Sequence, residues 1–308
     1  MKKNINLWII ILVMGFINYH PTFGQKKSTT QIKDENNIIF KIKPSDTDPA
    51  IKDIKNVNNP HLIMYNSSMP QGKLFLFLPG THGVPERGPK DLFNTAIKQG
   101  YRVINLSYID NIGVSNICKG EVLANDPDCT EKFRNQRVFG TKRTSLISDE
   151  PQDAIVNRLA KLLTYLKDFD KKGNWGIYLK NDGSINWTRI TVSGQSQGGG
   201  MAAFIAKRCL VDKIITFSGG WDHSAKNKIA NWYFQPSITP ADRWFGTYHI
   251  QEPTAKIMEK TYKAMAIPEN HIYRLNLEVR KGRRAHGEGI RNIAYKKMWI
   301  KILGNGGL

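Results

Sequence analysis

The segment Gly194-Gln195-Ser196-Gln197-Gly198 constrains the fold of this chain more than any other feature. It follows an apolar, strand-like run from Trp187 to Ser193 and leads into a helical pattern rich in small residues, Gly198 to Leu210. Glycine on either side of a serine lets a chain turn sharply from strand to helix without colliding with neighbouring strands. We therefore expect Ser196 at a helix N-terminus, where backbone N–H groups favour a developing anion. The alternative is a chance turn of small residues without a chemical role.

Strand-like and helical patterns alternate on both sides of this segment. The apolar run from Leu74 to Leu78 ends at Pro79-Gly80, which is typical of a strand buried on both faces. Alternation of strands and helices implies crossover connections and a mainly parallel sheet with helices on both faces, an α/β class. The chain has 308 residues, of which 40% are hydrophobic, so one large domain is favoured over two small ones. Further strands are predicted at 101–106, 213–218, 247–250 and 272–279, and helices at 89–99, 153–169, 198–210 and 254–265.

The N-terminal part is predicted to lie outside this domain. Residues 1–24 carry Lys2 and Lys3, a short apolar run and a polar continuation, which is the layout of a secretory signal peptide. An uncleaved N-terminal anchor is the alternative. Residues 25–59 are polar and predict a flexible leader that enters a first edge strand at Ile38-Ile39-Phe40. The single domain then spans 60–308, and we expect an exported protein, either periplasmic or secreted.

A long, turn-rich insertion is predicted at about 107–149. It contains Cys118 and Cys129, and in an exported protein these are expected to form a disulfide that staples the loop. Two unrelated free thiols are the alternative. Cys209 lies in an apolar helical pattern and is expected to be a small buried side chain.

A serine at such a turn indicates acyl transfer, which also needs hydrogen-bond donors for an oxyanion. One donor is expected to be the N–H of Gln197, the residue after the serine. The second is expected from the loop Leu78-Pro79-Gly80-Thr81-His82-Gly83, where we choose the N–H of Thr81. The alternative for this loop is an ordinary Pro-Gly turn.

The general base and the acid are sought after the serine, since both follow it in chain order in this architecture. Of His223, His249, His271 and His286, we favour His286, because its flexible Gly-containing loop follows the last predicted strand. An exposed loop histidine is the alternative. For the acid we favour Glu252, which follows the penultimate predicted strand and precedes a helix, and keep Asp222 as its rival. Either carboxylate could instead be a helix cap or a turn residue.

Together, the strand-Gly-Gln-Ser-Gln-Gly-helix segment, the upstream Leu-Pro-Gly-Thr loop and the late His-Gly loop resemble the α/β-hydrolase superfamily, from about Leu74 to Leu303. The resemblance implies the α/β-hydrolase fold, a Ser-acid-His triad and hydrolysis of an ester, thioester, amide or related acyl bond without a cofactor. The glutamate at the favoured acid position departs from the commonest pattern, which has aspartate. The insertion resembles the variable caps that shape substrate pockets in this superfamily.

Two functions from different classes remain open at this point. The first is a serine hydrolase, a carboxylic-ester hydrolase (EC 3.1.1), acting on a small-molecule or polymer-borne acyl substrate. The second is a non-catalytic hydrolase-fold protein that binds an anionic glycan or envelope component, which the net charge of +19 would suit. The basic residues are scattered and no nucleic-acid motif accompanies them, so we expect no specific nucleic acid and at most weak association with anionic surfaces.

No metal site is expected, since isolated pairs such as Asp222-His223 lack the ligand grouping of a zinc site. Aromatic residues are concentrated after the predicted strand at 213–218. They are expected either to line an acyl or sugar pocket or to form core. They are Trp221, Trp232, Tyr233, Phe234, Trp244 and Phe245.

Overall fold

The computed structural model describes residues 29–34, 36–141, 144–279, 281–282 and 284–308. The predicted signal peptide, residues 1–24, lies outside the described residues. Within the described ranges, no helix is both long and apolar enough to cross a membrane.

Nine strands of the described chain form one sheet, in the order β1-β2-β3-β5-β4-β6-β7-β10-β11. The pairs β1-β2, β2-β3 and β3-β5 are antiparallel, and all the others are parallel. This order, with three antiparallel pairs before the parallel series and a strand-Ser-helix turn after β6, is that of the α/β-hydrolase fold, which confirms the predicted fold class. The strands are β1 (Thr30–Asp34), β2 (Asn37–Ile42), β3 (His61–Asn66), β4 (Leu74–Leu78), β5 (Arg102–Asn105), β6 (Ile190–Gln195), β7 (Lys213–Phe217), β10 (Trp244–His249) and β11 (Ile272–Leu275), and a separate hairpin holds β8 (His223–Ala225) and β9 (Lys228–Ile229).

Helices cover both faces of this sheet. One face packs on α2, α9 and α10, and the other on α5, α6, α7 and α8, so the sheet separates two apolar clusters. The five residues of β4 are all buried, as the continuous apolar run predicts. The helices are α1 (Pro44–Thr47), α2 (Lys90–Lys98), α3 (Val114–Ile117), α4 (Gly120–Asn125), α5 (Cys129–Phe139), α6 (Ile155–Phe169), α7 (Gln197–Arg208), α8 (Ala255–Ala264), α9 (Glu288–Arg291) and α10 (Lys296–Leu303).

The N-terminal boundary of the domain differs from the prediction. In place of a flexible leader over 25–59, the described part of that range contributes β1, β2 and α1, and the sheet continues in β3. Phe40 and Ile42 are buried, because alternate residues of β2 face the apolar cluster that contains α6. The edge strand predicted at Ile38-Ile39-Phe40 is present as part of β2. Its alternating pattern is only six residues long and is surrounded by polar residues, so the sequence gives little sign of the order on either side of it. Within the described residues, the sheet therefore includes strands that the predicted boundary at residue 60 leaves outside the domain.

The insertion at 107–149 is also more ordered than predicted, since it holds three helices, α3, α4 and α5, instead of turns alone. Cys118 ends α3 and Cys129 begins α5, and the two form the expected disulfide, with their Cα atoms 5.7 Å apart. Cys209 is a free thiol at the C-terminus of α7 and is half-buried rather than fully buried.

Helix α6 buries the predicted apolar face through Ile155, Leu159, Leu162, Leu163 and Leu166. Phe169, predicted to share that face, is 46% exposed, although its ring contacts Phe40 at a centroid distance of 5.4 Å. The last strand is shorter than predicted and ends at Leu275, and neither β3 nor the C-terminal helix α10 was predicted.

Candidate active site

Ser196 stands at the turn between β6 and α7. Its backbone has φ 59° and ψ −122°, a region that a non-glycine residue adopts only when the surrounding structure enforces it. The Ser196 amide donates to the carbonyl oxygen of Phe217 at 2.9 Å. A Cβ on Gly198 would lie 2.0 Å from the carbonyl oxygen of Leu78, and one on Gly194 would lie 2.4 Å from Gly198. Both flanking glycines are therefore required by the close approach of neighbouring backbone.

The loop after β4 lies directly against this turn. A Cβ on Gly80 would be 3.0 Å from the Cβ of Ser196. Within the loop, the His82 amide donates to the Asp110 carbonyl at 3.1 Å and the Gly83 amide to the Gly80 carbonyl at 2.8 Å. The Thr81 amide has no acceptor among the described residues. Gln197 is the first residue of α7, so its amide has no acceptor in its own helix.

His286 and Glu252 are brought together by the loops that follow β11 and β10. The Nδ1 atom of His286 lies 2.6 Å from Oε2 of Glu252. The other carboxylate oxygen, Oε1, accepts from the Ser218 hydroxyl and from the His249 amide, each at 2.7 Å. The Glu252 side chain is 1% exposed and that of His286 36% exposed. A buried carboxylate thus holds Nδ1 of the imidazole, and Nε2 has no hydrogen-bond partner among the described residues.

Asp222, the rival acid, is used elsewhere. Its two oxygens accept from Nε and Nη2 of Arg134 at 2.5 and 2.7 Å, and Oδ2 also accepts from the indole of Trp232. These contacts tie the segment after β7 to helix α5 of the insertion. The structure therefore pairs His286 with Glu252 and gives Asp222 a partner in the insertion.

Two of the other three predicted alternatives for the base contact backbone carbonyls away from Glu252. Nε2 of the buried His249 lies 2.8 Å from the Leu277 carbonyl, and Nδ1 of His271 lies 3.0 Å from the Trp244 carbonyl. His223 lies in the small β8-β9 hairpin.

Two contacts of this site were missed by sequence reasoning. Ser218 follows β7 with φ 46°, an unusual backbone for a serine, and its hydroxyl holds Glu252. The Gln195 side chain donates to the carbonyl oxygen of His286 at 3.1 Å, which links the elbow to the histidine loop. The only sequence signal for Ser218 is its place directly after a buried strand, at the same sheet edge as Ser196.

The insertion covers the predicted oxyanion donors. The Gln197 side chain accepts from the Val114 amide at 3.0 Å. A Cβ on Gly113 would lie 3.0 Å from that Gln197 side chain and 3.1 Å from the Thr81 hydroxyl. Arg137 of α5 fixes the segment that contains Gly113, because its Nη1 atom donates to the Ile112 carbonyl at 2.6 Å. The insertion therefore touches both residues whose amides were predicted to hold the oxyanion.

A buried acid lies behind the Thr81 loop. Burial raises the pKa of Asp110 to about 7, against the opposing effects of the Gly83 amide and the Arg137 guanidinium. Its Oδ2 atom has no hydrogen-bond partner within the described residues. The Asp110 side chain therefore changes charge near neutral pH beside this loop. The backbone carbonyl of the same residue accepts from the His82 amide and so holds the loop in place.

The aromatic residues after β7 are mostly core. Trp232, Tyr233 and Trp244 are buried, and Phe245 stacks on His271 at a centroid distance of 4.1 Å. Trp221 is the member of the group that faces the site, since its ring packs edge-to-face on His286 at 5.3 Å. Among the described residues, no three or more His, Cys, Asp and Glu side chains are grouped so as to hold a metal ion.

The chain matches no protein-family model and no curated protein sequence. Solved structures do align with most of it. An S-formylglutathione hydrolase from Agrobacterium tumefaciens covers 89% of this chain and 99% of its own, at 10% identity and a TM-score of 0.49. A cold-adapted esterase from an Arctic intertidal metagenomic library covers 88% and 96%, at 8% identity and a TM-score of 0.49. An S-formylglutathione hydrolase from Staphylococcus aureus covers 90% and 98%, at 10% identity and a TM-score of 0.46.

The topology of the described residues assigns the fold of this chain. The strand order, the elbow between β6 and α7 and the loops after β4, β10 and β11 are those of an α/β-hydrolase fold. That assignment rests on the topology of the chain itself.

Proposed function

We propose that this protein is a serine esterase that cleaves a carboxylic ester through an acyl-enzyme. The observation that carries the proposal is the contact between His286 and the buried Glu252, at the sheet edge that also holds the strained Ser196. A histidine oriented by a buried carboxylate, together with a serine on a strand-to-helix elbow, is the arrangement that activates a serine hydroxyl.

In the proposed reaction, the Ser196 oxygen attacks the ester carbonyl carbon while Nε2 of His286 takes the hydroxyl proton. The oxyanion accepts from the amides of Thr81 and Gln197. Collapse of the tetrahedral intermediate breaks the C–O bond, and the alcohol leaves with the proton from His286. Water then attacks the acyl-enzyme by the same route, releasing the acid and restoring Ser196. Glu252 holds Nδ1–H of His286 throughout and stabilises its cation.

We also propose that the protein is exported and that its substrate is a small-molecule or polymer-borne ester. The Cys118–Cys129 disulfide supports an oxidising compartment, because such bonds rarely persist in a reducing cytosol.

The proposal is tested by labelling with a fluorophosphonate and by hydrolysis of p-nitrophenyl esters of graded length. The wild type should label once and hydrolyse at least one ester, whereas Ser196→Ala should do neither. Ser193→Ala is the matched control, because this serine lies three residues earlier and its hydroxyl donates to the Ile215 carbonyl inside the sheet. Folded wild type that neither labels nor turns over any ester, yet binds anionic glycan in a salt-sensitive way, would establish the non-catalytic alternative instead.

A further inference from the structure

A cavity of about 310 Å³ opens beside the loop that carries Thr81. Gly80, Thr81 and Gln195 line the side that faces the elbow. Gly80 is also in contact range of Ser196, since a Cβ on it would lie 3.0 Å from the Cβ of Ser196. The cavity is thus adjacent to the bond that the proposed reaction breaks, and its volume suits one small substituent of a substrate.

Two arginines also line the cavity. Arg87 and Arg291 both line it, and Nη2 of Arg291 donates to the Arg87 carbonyl at 3.0 Å, which fixes the two residues together. The neighbouring Glu86 pairs with Lys41 at 2.7 Å rather than with Arg87. No Asp or Glu is among the described residues that line this cavity.

The cavity also carries a buried polar atom. Asn105, fully buried at the end of β5, uses its amide nitrogen on the Pro85 carbonyl at 2.8 Å. Its Oδ1 atom has no donor among the described residues. Because this oxygen is buried and a carboxylate has no donor to offer it, Asn105 adds no contact for an anion, and the preference for an anion rests on the two arginines.

We propose that this cavity binds a carboxylate carried by the ester substrate, with Arg87 and Arg291 as the residues that select it. Guanidinium groups bind carboxylates through parallel N–H bonds, which gives both charge and geometric preference. The proposal rests on the esterase function proposed above and narrows it to esters with an anionic group near the reacting carbonyl.

The test compares kcat/KM for two pairs of esters that differ in one carboxylate. Mono-4-nitrophenyl adipate against 4-nitrophenyl hexanoate places the charge on the acyl side. 4-Acetoxybenzoate against phenyl acetate places it on the alcohol side. In at least one pair the charged-to-neutral ratio should fall about tenfold in Arg87→Gln and in Arg291→Gln, as expected for loss of one charge-assisted contact. The wild-type ratio in that pair should also fall as NaCl is raised.

Arg189→Gln is the matched control, since it removes one positive charge at the opposite end of β6. Its ratios should equal those of the wild type. Ratios that stay unchanged in both arginine variants, or that fall equally in Arg189→Gln, would overturn the carboxylate site while leaving the esterase function standing. Absence of both ester turnover and Ser196 labelling would overturn the esterase function, and the carboxylate site with it.

Discussion

The elbow and the insertion meet at Gln197, yet they are held in place by different forces. At the elbow, Gly194 and Gly198 let backbone segments approach so closely that any side chain would overlap them. In the insertion, residues 107–149, placement depends on distant side chains that pair in the interior, Arg134 with Asp222 and Arg137 with Asp149, and on the Cys118–Cys129 disulfide. The geometry of the elbow is therefore set by local sterics, whereas the position of the insertion is set by long-range charge pairing and the disulfide.

The two candidate acids, Glu252 and Asp222, each belong to one of these two regions. Glu252 serves the elbow side through His286, and Asp222 serves the insertion through Arg134. Changes at Glu252 should therefore alter the reaction with little effect on stability. Changes on the Asp222 side should alter stability more than the reaction.

The largest effect is expected for Glu252→Gln. The amide keeps the size of the side chain but places an N–H donor against Nδ1–H of His286, which favours the wrong imidazole tautomer. We expect kcat to fall by about 10⁴-fold, as for loss of the orienting acid in serine proteases. Ester hydrolysis measured beside thermal unfolding separates the two effects, because Tm should change little.

Asp222→Asn is the matched control for that experiment. It keeps the shape of a buried acid in the other region, so the folded fraction should retain kcat while Tm falls. A large loss of kcat in Asp222→Asn with normal turnover in Glu252→Gln would reverse the assignment of the two carboxylates.

Most of the parallel sheet could be predicted from sequence, because each strand carries its own signal. Leu74 to Leu78 is a continuous apolar run, and Gly194 to Gly198 has the spacing that the turn needs. The antiparallel strands were harder to predict. In β3, Leu62 and Tyr65 are buried against opposite faces of the sheet, so its pattern has no clear period. The C-terminal helix α10 is short and buries only Trp299, Ile302 and Leu303.

The candidate site was predictable where chain order or a motif limits the choice. His286 is the last histidine of the chain, and Ser196 lies midway between the two glycines of the motif Gly194 to Gly198. The choice between Glu252 and Asp222 depends on Arg134, which lies 88 residues before Asp222. No local pattern encodes that pairing. Ser218 was missed for the same reason, since its role depends on the position of Glu252 beside it.

The second effect, on stability, is expected for Arg134→Ala. The Arg134 and Asp222 side chains are 3% and 5% exposed, and removal of the arginine leaves a buried carboxylate without its cation. Breaking a buried pair in this way costs about 3 to 5 kcal/mol. Urea unfolding monitored by fluorescence measures this loss in the free energy of unfolding.

Glu131→Gln is the control for Arg134→Ala. Glu131 lies on the same helix as Arg134 and pairs with Arg208 of α7, but these side chains are 22% and 24% exposed. Loss of such a solvated pair should cost less than about 1 kcal/mol. If both variants lost the same free energy of unfolding, the buried Arg134–Asp222 pair would stabilise the protein no more than a partly exposed ion pair does.

The smallest of the three effects is expected for Cys118→Ser combined with Cys129→Ser. The disulfide closes a loop with a sequence separation of 11, so its removal should lower the free energy of unfolding by roughly 3 kcal/mol through the greater freedom of the unfolded chain. Arg134, Arg137 and Gln197 still hold the insertion over Thr81 after this change. Turnover of a small ester by the folded protein should therefore stay near that of the wild type.

Cys209→Ser is the matched control, because this thiol is free and half-buried. It should unfold close to the wild type. Loss of turnover in the folded double variant, restored when the disulfide is present, would mean that the disulfide positions the insertion over the oxyanion donors. The position of the insertion would then depend on the disulfide rather than on its buried ion pairs, and long-range charge pairing would no longer explain how the insertion is held against the elbow.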